Sequence, residues 1–135
     1  MTDAISIAVS GLVAQKQRLN ASASNIANLT TSGAVPSETV SSTVYRPIRA
    51  NLTPLVVDGQ GAGVTSNITE INNPYSLSYD PSSPFANAEG LIAVPNVDIA
   101  AEFVNIIETK NAFKANIAVL RVQDDLLGDL LDTFA

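Results

Sequence analysis

Residues 99–134 read IAAEFVNIIETKNAFKANIAVLRVQDDLLGDLLDTF. Within them Ile99, Phe103, Ile106, Phe113, Ile117, Leu120, Leu127, Leu131 and Phe134 recur at alternating steps of three and four, and Lys110 and Asp124 interrupt the series. That period keeps one stripe of an α-helix apolar. The run has no proline, and Gly128 is its single glycine. It predicts one continuous helix, roughly 50 Å long at ~1.5 Å per residue. Nothing that long can cover its own stripe, so another element must lie against it. Just ahead of the run, Pro95, Asn96 and Asp98 form a stop-and-cap signal, with Asp98 and Glu102 where the positive end of the helix dipole favours acids.

The start of the chain supplies a second helix. Between Asp3 and Asn28 the residues Ile5, Val9, Leu12, Leu19, Ala23 and Ile26 repeat the same spacing, interrupted by Lys16. Thr2 or Asp3 is placed to cap its first turn. Its second half, NASASNIANLTTSG, is rich in Asn and Ser, which compete for backbone hydrogen bonds and weaken a helix. The helix is expected to end between Asn28 and Gly33, before Pro36, with Asn25 and Asn28 serving that end.

Helix periodicity disappears between Val35 and Pro95, where Pro36, Pro47, Pro54, Pro74, Pro81, Pro84 and Pro95 punctuate the chain. Ser42–Asn51 and Val64–Ile71 read as strands, with Leu55–Val57 as a third. Gly59, Gly61 and Gly63 lack the spacing of a dinucleotide fingerprint and the Lys-Ser/Thr of a P-loop, so they read as a hairpin turn. Tyr75–Asn96 reads as ordered but irregular chain packed in extended form along another surface. The expected fold is therefore mainly α. Long terminal helices form an antiparallel coiled-coil-like hairpin, and the intervening irregular segment contains a small β-hairpin or short sheet. Its regions are 1–33 (first helix and Asn-rich end), 34–97 (Pro-punctuated segment) and 98–135 (second helix).

Charge suggests a register for the two helices. Asp124, Asp125, Asp129 and Asp132 crowd the negative dipole end of the second helix, and Arg121 offsets Asp125 at most. An antiparallel first helix brings its positive end beside them. Pairing Ile5 with Phe134 then sets Lys16 opposite Asp124, a polar pair of the kind that fixes register more than it stabilises. The hairpin still leaves Val119, Val122, Leu126, Leu130, Ile7 and Val13 off the main stripe. Helices apolar on more than one side belong in an interior, so the cover is expected from other subunits. A compact monomer with its β segment folded over that side is the alternative.

The totals exclude several classes. The 135 residues carry a net charge of −6 with seven scattered basic residues, which argues against nucleic acid and against an anionic membrane surface. Cysteine and histidine are both absent. Thiolate nucleophiles, His acid–base chemistry, disulfides and the usual zinc sites fall away with them, and no cofactor, metal or catalytic residue is expected. The carboxylates are scattered and tied to no convergent pocket, so an enzyme is not expected. The first residues lack the basic and apolar regions of a cleavable signal, and no apolar run reaches the ~20 residues of a membrane span.

Ser22-Ala23-Ser24-Asn25-Ile26-Ala27-Asn28, followed by Thr31 and Gly33, resembles the N-terminal signature of bacterial flagellar rod and hook proteins. Tyr79-Asp80-Pro81, Pro84, Ala86-Asn87, Glu89-Gly90 and Pro95-Asn96-Val97 resemble the segment before the last helix in proximal-rod members of the flagellar basal-body rod family. Phe113-Lys114-Ala115-Asn116 is similar to that family's aromatic-x-Ala-Asn motif. The resemblance covers essentially the whole chain. It implies a structural subunit exported by the flagellar type III apparatus without a cleaved signal, in a rod that spans the periplasm. Its partners would be itself and other rod proteins. The terminal helices would form the inner layer of a helical tube that transmits torque and encloses the export channel. The intersubunit and helix-seam residues are then Ile5, Val9, Leu12, Leu19 and Ile26 with Ile99, Phe103, Ile106, Phe113, Ile117, Leu120, Leu127 and Leu131. A soluble helical adaptor or coiled-coil binding module would use the same seams on a different partner.

Overall fold

The computed structural model describes residues 2–37 and 43–134; side chains are described from Ala4 onward. Both apolar periodicities become single helices, α1 at Thr2–Ala27 and α2 at Ile99–Phe134. The cap expected at Thr2 or Asp3 therefore lies outside the described side chains. At α2 the Asp98 carboxylate accepts hydrogen bonds from Ala100 N (2.9 Å) and Ala101 N (3.1 Å), satisfying two orphan first-turn donors. α1 ends at Ala27 in a turn, with Asn28 N donating to Ser24 O and Thr31 N to Asn28 O.

Between the helices lie two antiparallel hairpins. The first pairs β1 (Ile48–Val57) with β2 (Gln60–Glu70). Its turn is Asp58-Gly59, and both residues have positive φ, 50° and 79°, as the type I′ hairpin turn requires. Leu55–Val57 is not a third strand but the continuation of β1 through Pro54. Proline is tolerated there because Pro54 faces Val64, whose N–H turns away from the ladder to Ser10 Oγ (3.0 Å). That marks a pair whose nitrogens point to the outer edges. A bulge follows between Leu55 and Val56, with Gly63 at φ 123°. The expected start of the first strand, Ser42, lies outside the described residues, and residues 43–47 are irregular up to Ile48.

Tyr75–Asn96 is not irregular throughout. It forms a second hairpin, β3 (Tyr75–Tyr79) with β4 (Leu91–Pro95), in register from Tyr75 opposite Pro95 to Tyr79 opposite Leu91. Gly33 exchanges two hydrogen bonds of 2.9 Å with Ala93 on the far edge of β4, so β4 is flanked on both sides. Ile92, Ala93 and Pro95 are buried there, and Gly33 lies so close to Val44 that a Cβ would come 2.6 Å from Val44 N. The alternation of YSLSY and the apolar run LIAVP were the signals for these strands. The proline and turn residues between them outweigh those signals locally.

α2 packs on α1 and on no strand among the described residues. Three contacts fix how the helices lie: Gly11 against Asn116, Arg18 with Glu108 (3.2 Å) and Asn25 with Glu102 (2.6 Å). Residue numbers rise along one helix as they fall along the other. This register differs from the expected one. Lys16 is level with Lys110, and Asp124 lies fourteen residues further on, roughly 20 Å at the helical rise. Lys16 and Asp124 are therefore not brought together, and among the described residues neither forms an ion pair.

The content of the helix contact also differs from the apolar seam expected from sequence. On α1 the buried positions are Ala8, Gly11, Ala14, Gln15, Ala21, Ser22 and Asn25; on α2 they are Glu102 and Thr109. None of the thirteen seam residues is buried. The physical reason is close approach. A Cβ on Gly11 would lie 2.7 Å from Asn116 Oδ1, so the axes meet over small side chains, and the large apolar ones are left exposed or half-buried at the flanks.

Candidate assembly surface

One residue ties α1, α2 and the first hairpin together. Asn25 is 1% exposed and spends its whole amide on three neighbours. Its Oδ1 accepts from Ile48 N (2.9 Å) and from Tyr45 Oη (3.0 Å). Its Nδ2 donates to Ile48 O (2.8 Å) and to Glu102 Oε1 (2.6 Å). The side chain thus acts as a backbone partner for the first residue of β1 while holding the first turn of α2. This corrects the expectation that Asn25 serves the helix end. Asn28 does serve it, through Nδ2 to Ser24 O (2.9 Å). With the phenol proton of Tyr45 given to Asn25, the Ser24 hydroxyl donates to Tyr45 Oη (2.9 Å), which closes the junction.

Other motif residues shape turns. Asn96 N donates to Pro74 O and Asn96 Nδ2 to Asn73 O, fastening the chain between β4 and α2, while Val97 N turns back to Pro95 O. Asn87 Oδ1 accepts from Glu89 N and Leu91 N, both 2.9 Å, which folds the loop that carries Glu89-Gly90. Ile26 is half-buried and Ala27 exposed at the end of α1. On α2, Phe113 and Ala115 are exposed, while Asn116 returns its Nδ2 to Ala112 O (2.9 Å) and rests on Gly11. Sequence reasoning missed Gly11, Ser10 and Tyr45. The signal for Gly11 was a second stripe of small residues, Ala8, Gly11, Ala14 and Ala21, alongside the apolar one.

The first hairpin is laid along α1 by Val64 N to Ser10 Oγ, Ser66 Oγ to Gln17 Oε1, and the Asn25–Ile48 pair. An open cleft lies where α1, β1 and the start of α2 converge, bounded by Arg18, Ser22, Ile48, Asp98 and Glu102. Its central polar groups, Arg18 and Glu102, are already engaged by Glu108 and Asn25.

The apolar seam lies on the outside. Val9, Leu19, Ile99, Phe103, Phe113, Leu127 and Leu131 are exposed; Ile5, Leu12, Ile26, Ile106, Ile117 and Leu120 are half-buried. Ile7, Val13, Val119, Val122, Leu126 and Leu130 add to this surface. Because Gly11 is level with Asn116, α1 runs out near residue 125, and residues 126–134 of α2 extend beyond it by roughly 13 Å. Leu131 is 72% and Phe134 86% exposed on that overhang. Scattered exposed leucines are ordinary, but contiguous apolar faces on two helices mark an interaction surface. No described helix is long and apolar enough to cross a membrane.

Comparison with known proteins follows the same geometry. Residues 5–34, which hold α1 and its turn, match the family described as "Flagella basal body rod protein". Residues 88–133, from β4 through α2, match "Flagellar basal body rod FlgEFG protein C-terminal". Along the chain, the flagellar basal-body rod protein FlgC of Salmonella typhimurium is 35% identical over 126 residues, covering 90% of this chain and 88% of the relative. FlgC of Bacillus subtilis is 31% identical over 147 residues, covering 95% and 94%. FlgC of Borreliella burgdorferi is 31% identical over 136 residues, covering 86% of each.

Proposed function

From the premise that this chain belongs to the flagellar basal-body rod protein family and is a structural subunit of the rod, we propose that it polymerises through the outward faces of its two terminal helices. Its place is the basal body and its partners are other rod components. The tube so formed encloses the export channel and passes motor torque toward the hook, and the subunit reaches it through the flagellar export apparatus without a cleaved signal. Within that tube the helices of neighbouring subunits complete the coiled-coil-like packing that the lone chain leaves open. Regions 1–33 and 98–135 are its assembly layer and region 34–97 its outer layer.

The observation that carries the reading is the inverted helix pair. Small and polar side chains meet inside the molecule, whereas Phe103, Phe113, Val122 and Leu131 face out. Fully burying one such side chain contributes about 1.5–3 kcal/mol, so covering both faces gives assembly a large driving force. Contacts of one face on a different face repeat instead of closing, as a filament requires. Fractionation tests the reading: the tagged chain should co-purify with intact basal bodies. Recovery only as a soluble cytoplasmic species would favour the helical adaptor and overturn it.

A further inference from the structure

We propose that the C-terminal part of α2 in one copy, from Asp124 through the overhang, docks antiparallel on the outward face of α1 in a second copy, with Asp124 meeting Lys16, Leu127 meeting Val13 and Leu131 meeting Val9. The inference rests on the rod-subunit reading and names the surface through which like subunits join. Three observations carry it. The first is charge. From Ala4 to Ser37 the chain has no acidic residue, and its cations are Lys16 and Arg18; after Arg121 it has no cation and four acids, Asp124, Asp125, Asp129 and Asp132. Arg18 is engaged by Glu108, whereas Lys16 and the four acids form no ion pair among the described residues.

The second observation is spacing. Val9, Val13 and Lys16 are exposed and share one face of α1 at steps of four and three. Leu131, Leu127 and Asp124 are exposed and descend α2 by the same steps. Laid antiparallel, they put apolar against apolar and cation against carboxylate over two helical turns. The third observation is reach. The molecule's own register leaves Asp124 roughly 20 Å from the level of Lys16, held there by Gly11 on Asn116 and Asn25 on Glu102. The matching partner must therefore be another molecule. The two docking faces are different surfaces, so each copy still offers one of each and the contact propagates.

The chain contains no cysteine, which permits a clean cross-linking test. Full-length chains carrying Val13→Cys alone and Leu127→Cys alone are mixed, oxidised and analysed both in solution and in isolated basal bodies; Val9→Cys with Leu131→Cys is the second pair. Mixed Val13–Leu127 and Val9–Leu131 dimers are expected, and a single chain carrying both cysteines of a pair should form no internal bridge. Lys16→Asp should lower the mixed yield roughly fivefold or more, and combining it with Asp124→Lys should restore it. Exclusive Val13–Val13 dimers, or no mixed dimers in basal bodies that do contain the chain, would overturn this docking and leave the rod assignment standing. Absence of the chain from basal bodies would overturn both.

Discussion

Asn25 shows how much one buried amide can organise when each of its atoms has a partner. Two donors and one acceptor oxygen meet β1, Tyr45 and α2, with no lone group left over. Asn25→Ala would strand the Ile48 backbone and the 7%-exposed Glu102 carboxylate without partners. A loss of about 2–4 kcal/mol is expected, read as a lowered urea midpoint for the isolated chain. Asn25→Asp should cost at least as much, because it removes both donors and sets a second carboxylate beside Glu102. A variant as stable as the parent would show that the junction is not what holds the hairpin to the helices. Gly11 works by what it lacks. Gly11→Val should push Asn116 aside and destabilise by about 1–3 kcal/mol. Asn116→Ala in the same chain should recover part of that loss, since the two sites are in contact and their effects are not additive.

At the scale of elements, each helix was announced by its period, the start of α2 by Asp98 and the end of α1 by its Asn-rich turn. Asp98→Ala should weaken the first turn of α2 by about 1 kcal/mol, visible as faster amide exchange at Ala100 and Ala101. The strands were less legible. β1 continued through a proline because the ladder's alternation left Pro54 facing outward, a matter of register that residue types alone do not give. β3 and β4 escaped notice because five-residue strands separated by a long turn carry a weak alternation signal. The turn is built by side chains bonding their own backbone: Asp80 Oδ1 to Ser82, and Asn87 Oδ1 to Glu89 and Leu91.

For the whole molecule, what matters is which side of each helix is spent internally. A pair that buries Ala8, Ala14, Ser22, Thr109 and Glu102 gains little from apolar transfer. Three of its buried polar atoms, Gln15 Oε1, Thr109 Oγ1 and Gln123 Oε1, have no hydrogen-bond partner among the described residues. Its apolar faces stay available for neighbours. Leu131→Asp or Phe134→Asp, at sites 72% and 86% exposed, should therefore change the stability of the isolated chain by no more than about 0.5 kcal/mol while abolishing incorporation into basal bodies. Circular dichroism with thermal melting checks the first outcome and basal-body fractionation the second. Unfolding of the lone chain by either substitution would place those side chains in an internal core after all.

Period, caps and composition by themselves determined two long terminal helices, a β-rich middle, and a surplus of apolar helix surface that one chain cannot hide. They did so because helix phase and burial demand are local properties, written residue by residue. Only the tertiary structure decided which stripe of each helix turns inward. That choice rests on Gly11 admitting Asn116 and on Asn25 bridging Ile48 and Glu102, contacts between residues 77 to 105 positions apart in the chain or brought in from β1. Two stripes of the same period compete on each helix, and close approach at Gly11 with the fully partnered amide of Asn25 selects the small and polar one.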